Sequence, residues 1–239
     1  MLIYDPGSFL RWLAIAYPAT RPLANGKGIS SPFNLIMARK AIIFDLDNTI
    51  YAVSSIADQL FAPLFKLLKE SGEVENNFEE IKRDLMRKPF QLVARKYGLT
   101  EGLTQKGTHL LQNMTYEGEI RPFDDYRLVR ALPVEKFLVT TGFLQLQQSK
   151  IERMGIRQDF REVHIVDIES GTKKEVFAAL LQRHHLRPSD VLVVGDDPDS
   201  EIKAAQELDL AAVLYDKAGL YPDASIPRIS DYRQLSAYL

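Results

Sequence analysis

Apolar residues from Lys40 onward fall into short continuous runs that alternate with longer stretches of helical periodicity. Continuously apolar runs predict strands covered on both faces, and their alternation with helices predicts a doubly wound, mostly parallel α/β sheet of Rossmann-like form. The predicted strands are residues 41–44, 136–140, 162–167, 190–195 and 210–215. The predicted helices between the later strands are residues 144–154, 173–184 and 200–208. In the first of these helices, Leu144, Ile151 and Met154 share one face.

The interval after the first strand breaks this alternation. It contains helical patterns at residues 56–70, 78–87, 90–97 and 107–114, separated by glycine and proline, and no convincing strand pattern. The sequence therefore predicts an all-helical cap domain of residues 52–121, inserted into a core domain made of residues 40–51 and 122–239.

Residues 1–39 are the least regular part of the sequence. The apolar run at residues 9–17 is interrupted by Arg11 and is too short to span a bilayer. It also lacks the basic start of a signal peptide, which favours a short amphipathic helix docked on the rest of the protein. We expect an N-terminal extension whose role the sequence does not define.

Composition narrows the function classes. The 239 residues are 46% hydrophobic and 26% charged, which is typical of globular proteins. A formal charge of -2 provides no global attraction for a nucleic-acid polymer or an anionic membrane. The chain has no cysteine, which excludes disulfides, thiolate metal sites and cysteine nucleophiles. We expect a cytoplasmic protein, and the oligomeric state stays open.

Polar residues follow the predicted strands where each one ends. They include an acidic pair, neighbouring hydroxyl groups, a lysine at a helix start and a second acidic loop: Asp45, Asp47, Thr49, Thr140, Thr141, Gly142, Lys173, Asp196 and Glu201. Ligands of open parallel sheets bind beyond the carboxyl ends of the strands, where these residues converge. Oxygen-only ligands favour magnesium over zinc.

These motifs resemble those of the haloacid dehalogenase (HAD) superfamily, in its magnesium-dependent phosphatase branch. FDLDNT at residues 44–49 resembles the first motif, LVTTG at 138–142 the second, Lys173 the third and VVGDDPDSE at 193–201 the fourth. TTGFLQLQQSKIERMGI at 140–156 is similar to nucleotidase-like members. The resemblance covers Lys40 to Leu239, and the helical insertion is similar to the cap of members that act on small phosphorylated molecules.

The resemblance implies a role for each matching residue. Asp45 is the expected nucleophile, which forms an aspartyl-phosphate, and Asp47 the expected general acid and base, for which its site must raise its pKa. Thr140 and Lys173 are expected to hold phosphoryl oxygens. The implied Mg²⁺ ligands are Asp45, the backbone carbonyl of Asp47 and Asp196, with Glu201 orienting a water. Thr49, Thr141 and Gly142 are further candidates for substrate contacts.

Several alternatives stay open at this point. Lys174 is the alternative to Lys173, and Glu201 stands where an aspartate is commoner, which makes direct metal ligation by Glu201 less certain. The expected activity is hydrolysis of a phosphomonoester, with a nucleoside monophosphate or a sugar phosphate as the small phosphorylated substrate. Phosphomutase chemistry uses the same residues, and a non-catalytic binding protein of this fold is a further alternative.

Substrate choice is expected to depend on the insertion. Its basic residues could bind a second anionic group or could form a solvated helix face; they are Lys82, Arg83, Arg87, Lys88, Arg95 and Lys96. Its aromatic residues could stack on a base or could belong to the core; they are Phe61, Phe65, Phe78, Phe90 and Tyr97.

Overall fold

The computed structural model describes residues 39–239, so the prediction of an N-terminal extension lies outside the described residues except for Arg39. Within 39–239, no helix is long and apolar enough to cross a membrane.

A six-stranded parallel sheet forms the centre of the described chain, with the strand order β3-β2-β1-β4-β5-β6. The strands are β1 Ala41–Phe44, β2 Glu135–Thr141, β3 Glu162–Val166, β4 Val191–Gly195, β5 Ala211–Tyr215 and β6 Arg228–Ile229. The predicted doubly wound α/β class and the first five strands are confirmed. Strand β6 was not predicted, because two residues are too short to give an apolar run.

The two central strands are buried on both faces, as their unbroken apolar sequences predict. Side chains of β1 alternate between two apolar clusters: Phe44 contributes to one, and Ile43 packs with Phe177 in the other. Helices therefore cover both faces of the sheet.

Helices of the sheet layers follow the strands. They are α6 Tyr126–Ala131, α7 Leu144–Met154, α8 Lys173–Arg183 and α9 Lys203–Gln206. The helix predicted at residues 200–208 is shorter in the structure, because a π-helical turn at Pro198–Ile202 precedes α9. This wide turn brings Glu201 against Gly195, where any Cβ would collide with the glutamate side chain. A 3-10 helix, Tyr232–Tyr238, closes the chain.

Residues 52–121 contain helices and no strand of the sheet. The helices are α1 Ala57–Leu60, α2 Ala62–Ser71, α3 Phe78–Leu85, α4 Phe90–Tyr97 and α5 Glu101–Gln112. The single helix predicted at 56–70 is divided at Phe61, because Pro63 in the first turn of α2 has no N–H to continue α1. Helix α5 begins earlier than predicted, where Thr100 caps it by accepting a hydrogen bond from the Leu103 N–H. The division into core and cap domains stays a prediction.

Candidate active site

Strand register brings three of the predicted residues to one edge of the sheet. Phe44 of β1 pairs with Leu138 of β2 and with Val194 of β4. Asp45 is one residue beyond this level, and Thr140 and Asp196 are each two residues beyond it. Because the strands are parallel, all three lie at the carboxyl end of the sheet, Thr140 within β2 and the two aspartates just after β1 and β4.

Three carboxylates meet at this edge. Asp45, Asp196 and Glu201 each place an oxygen within 4.8 Å of the other two; the side chains of Asp45 and Glu201 are buried, and that of Asp196 is 11% exposed. Burial, reinforced by the Glu201 carboxylate, raises the pKa of Asp45 to about 7, although Lys173 opposes the rise. Burial, followed by the nearby carboxylates of Glu201 and Asp45, also raises the pKa of Asp196 well above its ordinary value. The cluster is therefore short of positive charge.

Lys173 lies at the centre of this cluster. Its Nζ donates to Asp45 Oδ1 at 2.6 Å and to Glu201 Oε2 at 2.7 Å. Although burial favours the neutral amine, these two carboxylates raise the pKa of Lys173 above its ordinary value. Lys174 instead pairs with Glu207 on the surface, at 2.9 Å. Of the two alternatives left by the sequence, Lys173 is the lysine at the carboxylates.

Arg87 is a second cation at the cluster, and the motifs assign it no individual role. Its guanidinium donates to Asp196 Oδ2 at 2.8 Å and to the Tyr221 hydroxyl at 3.2 Å. Three carboxylates thus face two cations, and the donor atoms are all oxygens. This donor set fits a hard divalent cation such as magnesium.

The shifted carboxyl group predicts how stability changes with pH when no divalent cation is present. The folded protein keeps the Asp45 proton up to its pKa of about 7, whereas the unfolded chain releases it near the ordinary value of 3.8. The contribution of Asp45 to the free energy of unfolding is therefore complete below about pH 4 and is lost as the pH rises to about 7. In EDTA, we expect the melting temperature of the wild type to fall relative to that of Asp45→Asn as the pH rises over this interval.

A divalent cation binds the ionised carboxylates, so we expect it to stabilise the protein more at pH 8 than at pH 5. At about a hundred times its Kd, a ligand adds ~2.7 kcal/mol, or about 5–10 °C in a domain of this size. Thermal melts with EDTA and with Mg²⁺ at both pH values measure this difference. Equal magnesium shifts at the two pH values would contradict it.

The Asp47 carboxylate points to a different set of side chains. It accepts hydrogen bonds from Lys150 Nζ at 2.9 Å, Gln147 Nε2 at 2.9 Å and the Tyr51 hydroxyl at 2.5 Å. Burial alone would raise the pKa of Asp47, but Lys150 and the other donors lower it. The general acid expected from the sequence needs a raised pKa, but the pKa of Asp47 is lowered. The reason is that the buried ammonium group of Lys150 faces this carboxylate.

Two of the predicted threonines line the cavity, and the third contacts Asp45 from behind the cavity wall. Thr140 and Thr141 line the cavity with Gly142, which has a φ of 153° and lies close to the Gln147 side chain. Thr49 is fully buried and donates to Asp45 Oδ2 at 3.3 Å. It supports the carboxylate and does not line the cavity, which differs from the predicted substrate contact.

A cavity of about 120 Å³ opens between this edge and the insertion. Of the six basic residues singled out in the insertion, Arg87 and Lys88 line it. Lys82 and Lys96 pair with Asp58 and Asp84.

Some aromatic residues of the insertion line the cavity, and the others pack in the apolar core. Phe61 and Phe90 contribute to the apolar wall of the cavity. Phe65 packs against Phe61 and Phe78 in the apolar cluster of the insertion, and Tyr97 packs against that cluster. Most of this aromatic pattern is therefore core.

Residues 39–209 match the family model of haloacid dehalogenase-like hydrolases. The chain is 26% identical to a glyceraldehyde 3-phosphate phosphatase of Methanopyrus kandleri, over 80% of this chain and 89% of that protein. It is 28% identical to the protein of the same name from Methanocaldococcus jannaschii, over 81% and 91%. An enolase-phosphatase E1 of Aquifex aeolicus is 23% identical, over 82% and 98%.

Solved structures share the fold. A haloacid dehalogenase-like hydrolase from Streptococcus pneumoniae superposes with a TM-score of 0.65 at 17% identity, covering 84% of this chain and 99% of its own. The HAD hydrolase YfnB from Bacillus subtilis, bound to magnesium, has a TM-score of 0.56 at 20% identity, with coverages of 84% and 98%. The resemblance based on the four motifs is confirmed. The chain belongs to the haloacid dehalogenase-like hydrolase family.

Proposed function

We propose that this protein is a magnesium-dependent phosphomonoester hydrolase that acts on a small phosphorylated metabolite through an aspartyl-phosphate intermediate. The observation that carries the proposal is the convergence of Asp45, Thr140, Lys173 and Asp196 on one cavity. The curated relatives named above are phosphatases of phosphorylated small molecules, which supports the same activity.

Asp45 is the proposed nucleophile. One carboxylate oxygen attacks phosphorus, the bond from phosphorus to the leaving oxygen breaks, and water later hydrolyses the aspartyl-phosphate to free phosphate. Lys173 and the Thr140 hydroxyl stabilise the charge on the phosphoryl oxygens. Asp45, Asp196 and the backbone carbonyl of Asp47 would hold magnesium, which would supply positive charge to offset the repulsion between nucleophile and phosphate.

Asp47 is the proposed proton carrier for both half-reactions. Its carboxylate takes a proton from the hydrolytic water in the second step, which agrees with its lowered pKa. The first step needs a proton on the leaving oxygen. A phosphate ester has a second pKa of about 6, so its monoanion brings one proton that the carboxylate can pass on.

The cavity favours a small leaving group. Its volume is about 120 Å³. Its apolar lining includes Phe61, Phe90, Leu111 and Leu146. We therefore favour a phosphorylated three-carbon compound, the class named for the two archaeal relatives, over a nucleoside monophosphate.

A panel of phosphate esters tests this function. We expect phosphate release from glyceraldehyde 3-phosphate and similar small esters with Mg²⁺, slower release from nucleoside monophosphates, and loss of activity in EDTA that returned Mg²⁺ restores. Typical enzymes turn over at about 1–10³ per second, so release is readily measured. No release from any ester with Mg²⁺ present would overturn the proposal.

A further inference from the structure

Lys150 is a buried charged residue of α7 that none of the four sequence motifs includes. The residue is 4% exposed, and its Nζ donates to both oxygens of Asp47, at 2.9 Å and 3.2 Å. An ammonium group buried without an ionic partner is costly, and an apolar side chain would fill the same space more favourably. The arrangement therefore serves the Asp47 carboxylate more than the packing of α7.

Gln147, one helical turn earlier, completes the contact. Its Nε2 donates to Asp47 Oδ2 at 2.9 Å and to the Thr140 hydroxyl at 2.8 Å, so one amide group links two proposed site residues. Gln147 and Lys150 also line the cavity. Together with the Tyr51 hydroxyl, they leave the Asp47 carboxylate a single well-defined orientation.

We propose that Lys150 is a positioning residue for Asp47. It fixes the carboxylate oxygens, so that Asp47 passes the proton of the phosphate-ester monoanion to the leaving oxygen as the phosphorus–oxygen bond breaks. When water hydrolyses the aspartyl-phosphate, the carboxylate takes a proton from that water and returns it to the released phosphate, so Asp47 begins and ends each cycle ionised. This inference rests on the proposed function and extends it to a residue outside the family motifs.

Two substrates with different leaving groups separate positioning from a structural role. Loss of glycerol from glycerol 3-phosphate requires a proton, whereas acetate leaves acetyl phosphate as a stable anion. The ratio kcat/KM reports only the steps up to loss of the leaving group, so it excludes hydrolysis of the aspartyl-phosphate, in which Asp47 also acts. For Lys150→Met, we expect kcat/KM on glycerol 3-phosphate to fall by about 10²–10³-fold, within the range of general acid–base catalysis. We expect kcat/KM on acetyl phosphate to change by less than about threefold.

Lys136→Met is the matched control, since Lys136 is a half-buried lysine at the opposite end of β2 that donates to the Leu132 carbonyl. Its kcat/KM on both substrates should equal that of the wild type. If Lys150→Met does not fold, Gln147→Leu tests the same selectivity, because it removes another hydrogen-bond donor to Asp47. Equal losses of kcat/KM on both substrates, or no loss on either, would overturn the positioning role. Failure of the proposed function differs, since the wild type itself would then release no phosphate.

Discussion

Asp45→Asn should lower phosphate release by about 10⁴-fold or more on the best ester of the wild type. The asparagine amide cannot form the aspartyl-phosphate, and removal of a nucleophile leaves only the catalysis that binding and electrostatics provide. Steady-state phosphate release at saturating Mg²⁺ measures the loss. Equal rates for the variant and the wild type would show that Asp45 is not the nucleophile.

The substitution should leave the fold intact, which makes the loss interpretable. Asparagine has nearly the same shape, its amide oxygen can still accept the Lys173 hydrogen bond, and Lys173 keeps its contact to Glu201. Removing one of three crowded carboxylates also relieves repulsion, so the melting temperature in EDTA should not fall. Asp199→Asn removes an exposed carboxylate of the same acidic loop and should keep wild-type activity.

The sheet could be predicted because β1, β4 and β5 are continuous apolar runs. Strand β1 is almost fully buried along its whole length, so its sequence had to be apolar on both faces. The parallel arrangement then placed the residues after β1, β2 and β4 at one edge without any further information. The acidic pair and the second acidic loop could therefore be assigned to one site before any distance was known.

The side chains around Asp47 could not be predicted, because nothing in the local pattern distinguishes them. Gln147 precedes Ile151 by four residues and Lys150 precedes Met154 by four, so both polar residues share the apolar face of α7. The spacing shows this shared face but not which distant group the two side chains contact. In the structure Ile151 is buried as expected, but Leu144 is 58% exposed and Lys150 is buried. The ion pair with Asp47, 103 residues away, reverses the usual preference. The only sequence signal was that both residues lie in the segment similar to nucleotidase-like proteins.

The choice between the two adjacent lysines depended on the cap of α8. Thr172 accepts from the Glu175 N–H, and Glu175 accepts from the Thr172 N–H, so this capping box fixes the first turn of the helix. Lys173 is then the first helical residue and faces the carboxylates. The sequence predicts the helix start from these residues. Which of the two lysines faces the sheet depends on tertiary packing, which the local pattern does not show.

Lys173→Met should cause the largest loss of stability among these variants. It leaves Asp45 and Glu201 buried without their shared cation, and breaking a buried ion pair costs about 3–5 kcal/mol. For a domain of this size, that corresponds to a fall of about 6–20 °C in the melting temperature in EDTA. Loss of a group that stabilises phosphoryl charge should also lower kcat by about 10²–10³-fold.

Lys174→Met is the matched control for this substitution, since it removes the adjacent lysine from a half-exposed pair with Glu207. Surface pairs contribute little to stability, so both the melting temperature and kcat should stay close to the wild-type values. Because Mg²⁺ supplies positive charge to the same carboxylates, it should restore part of the stability lost in Lys173→Met but little of its kcat. If the two variants lost stability and activity equally, the contact of Lys173 with Asp45 and Glu201 would not be what holds the site together.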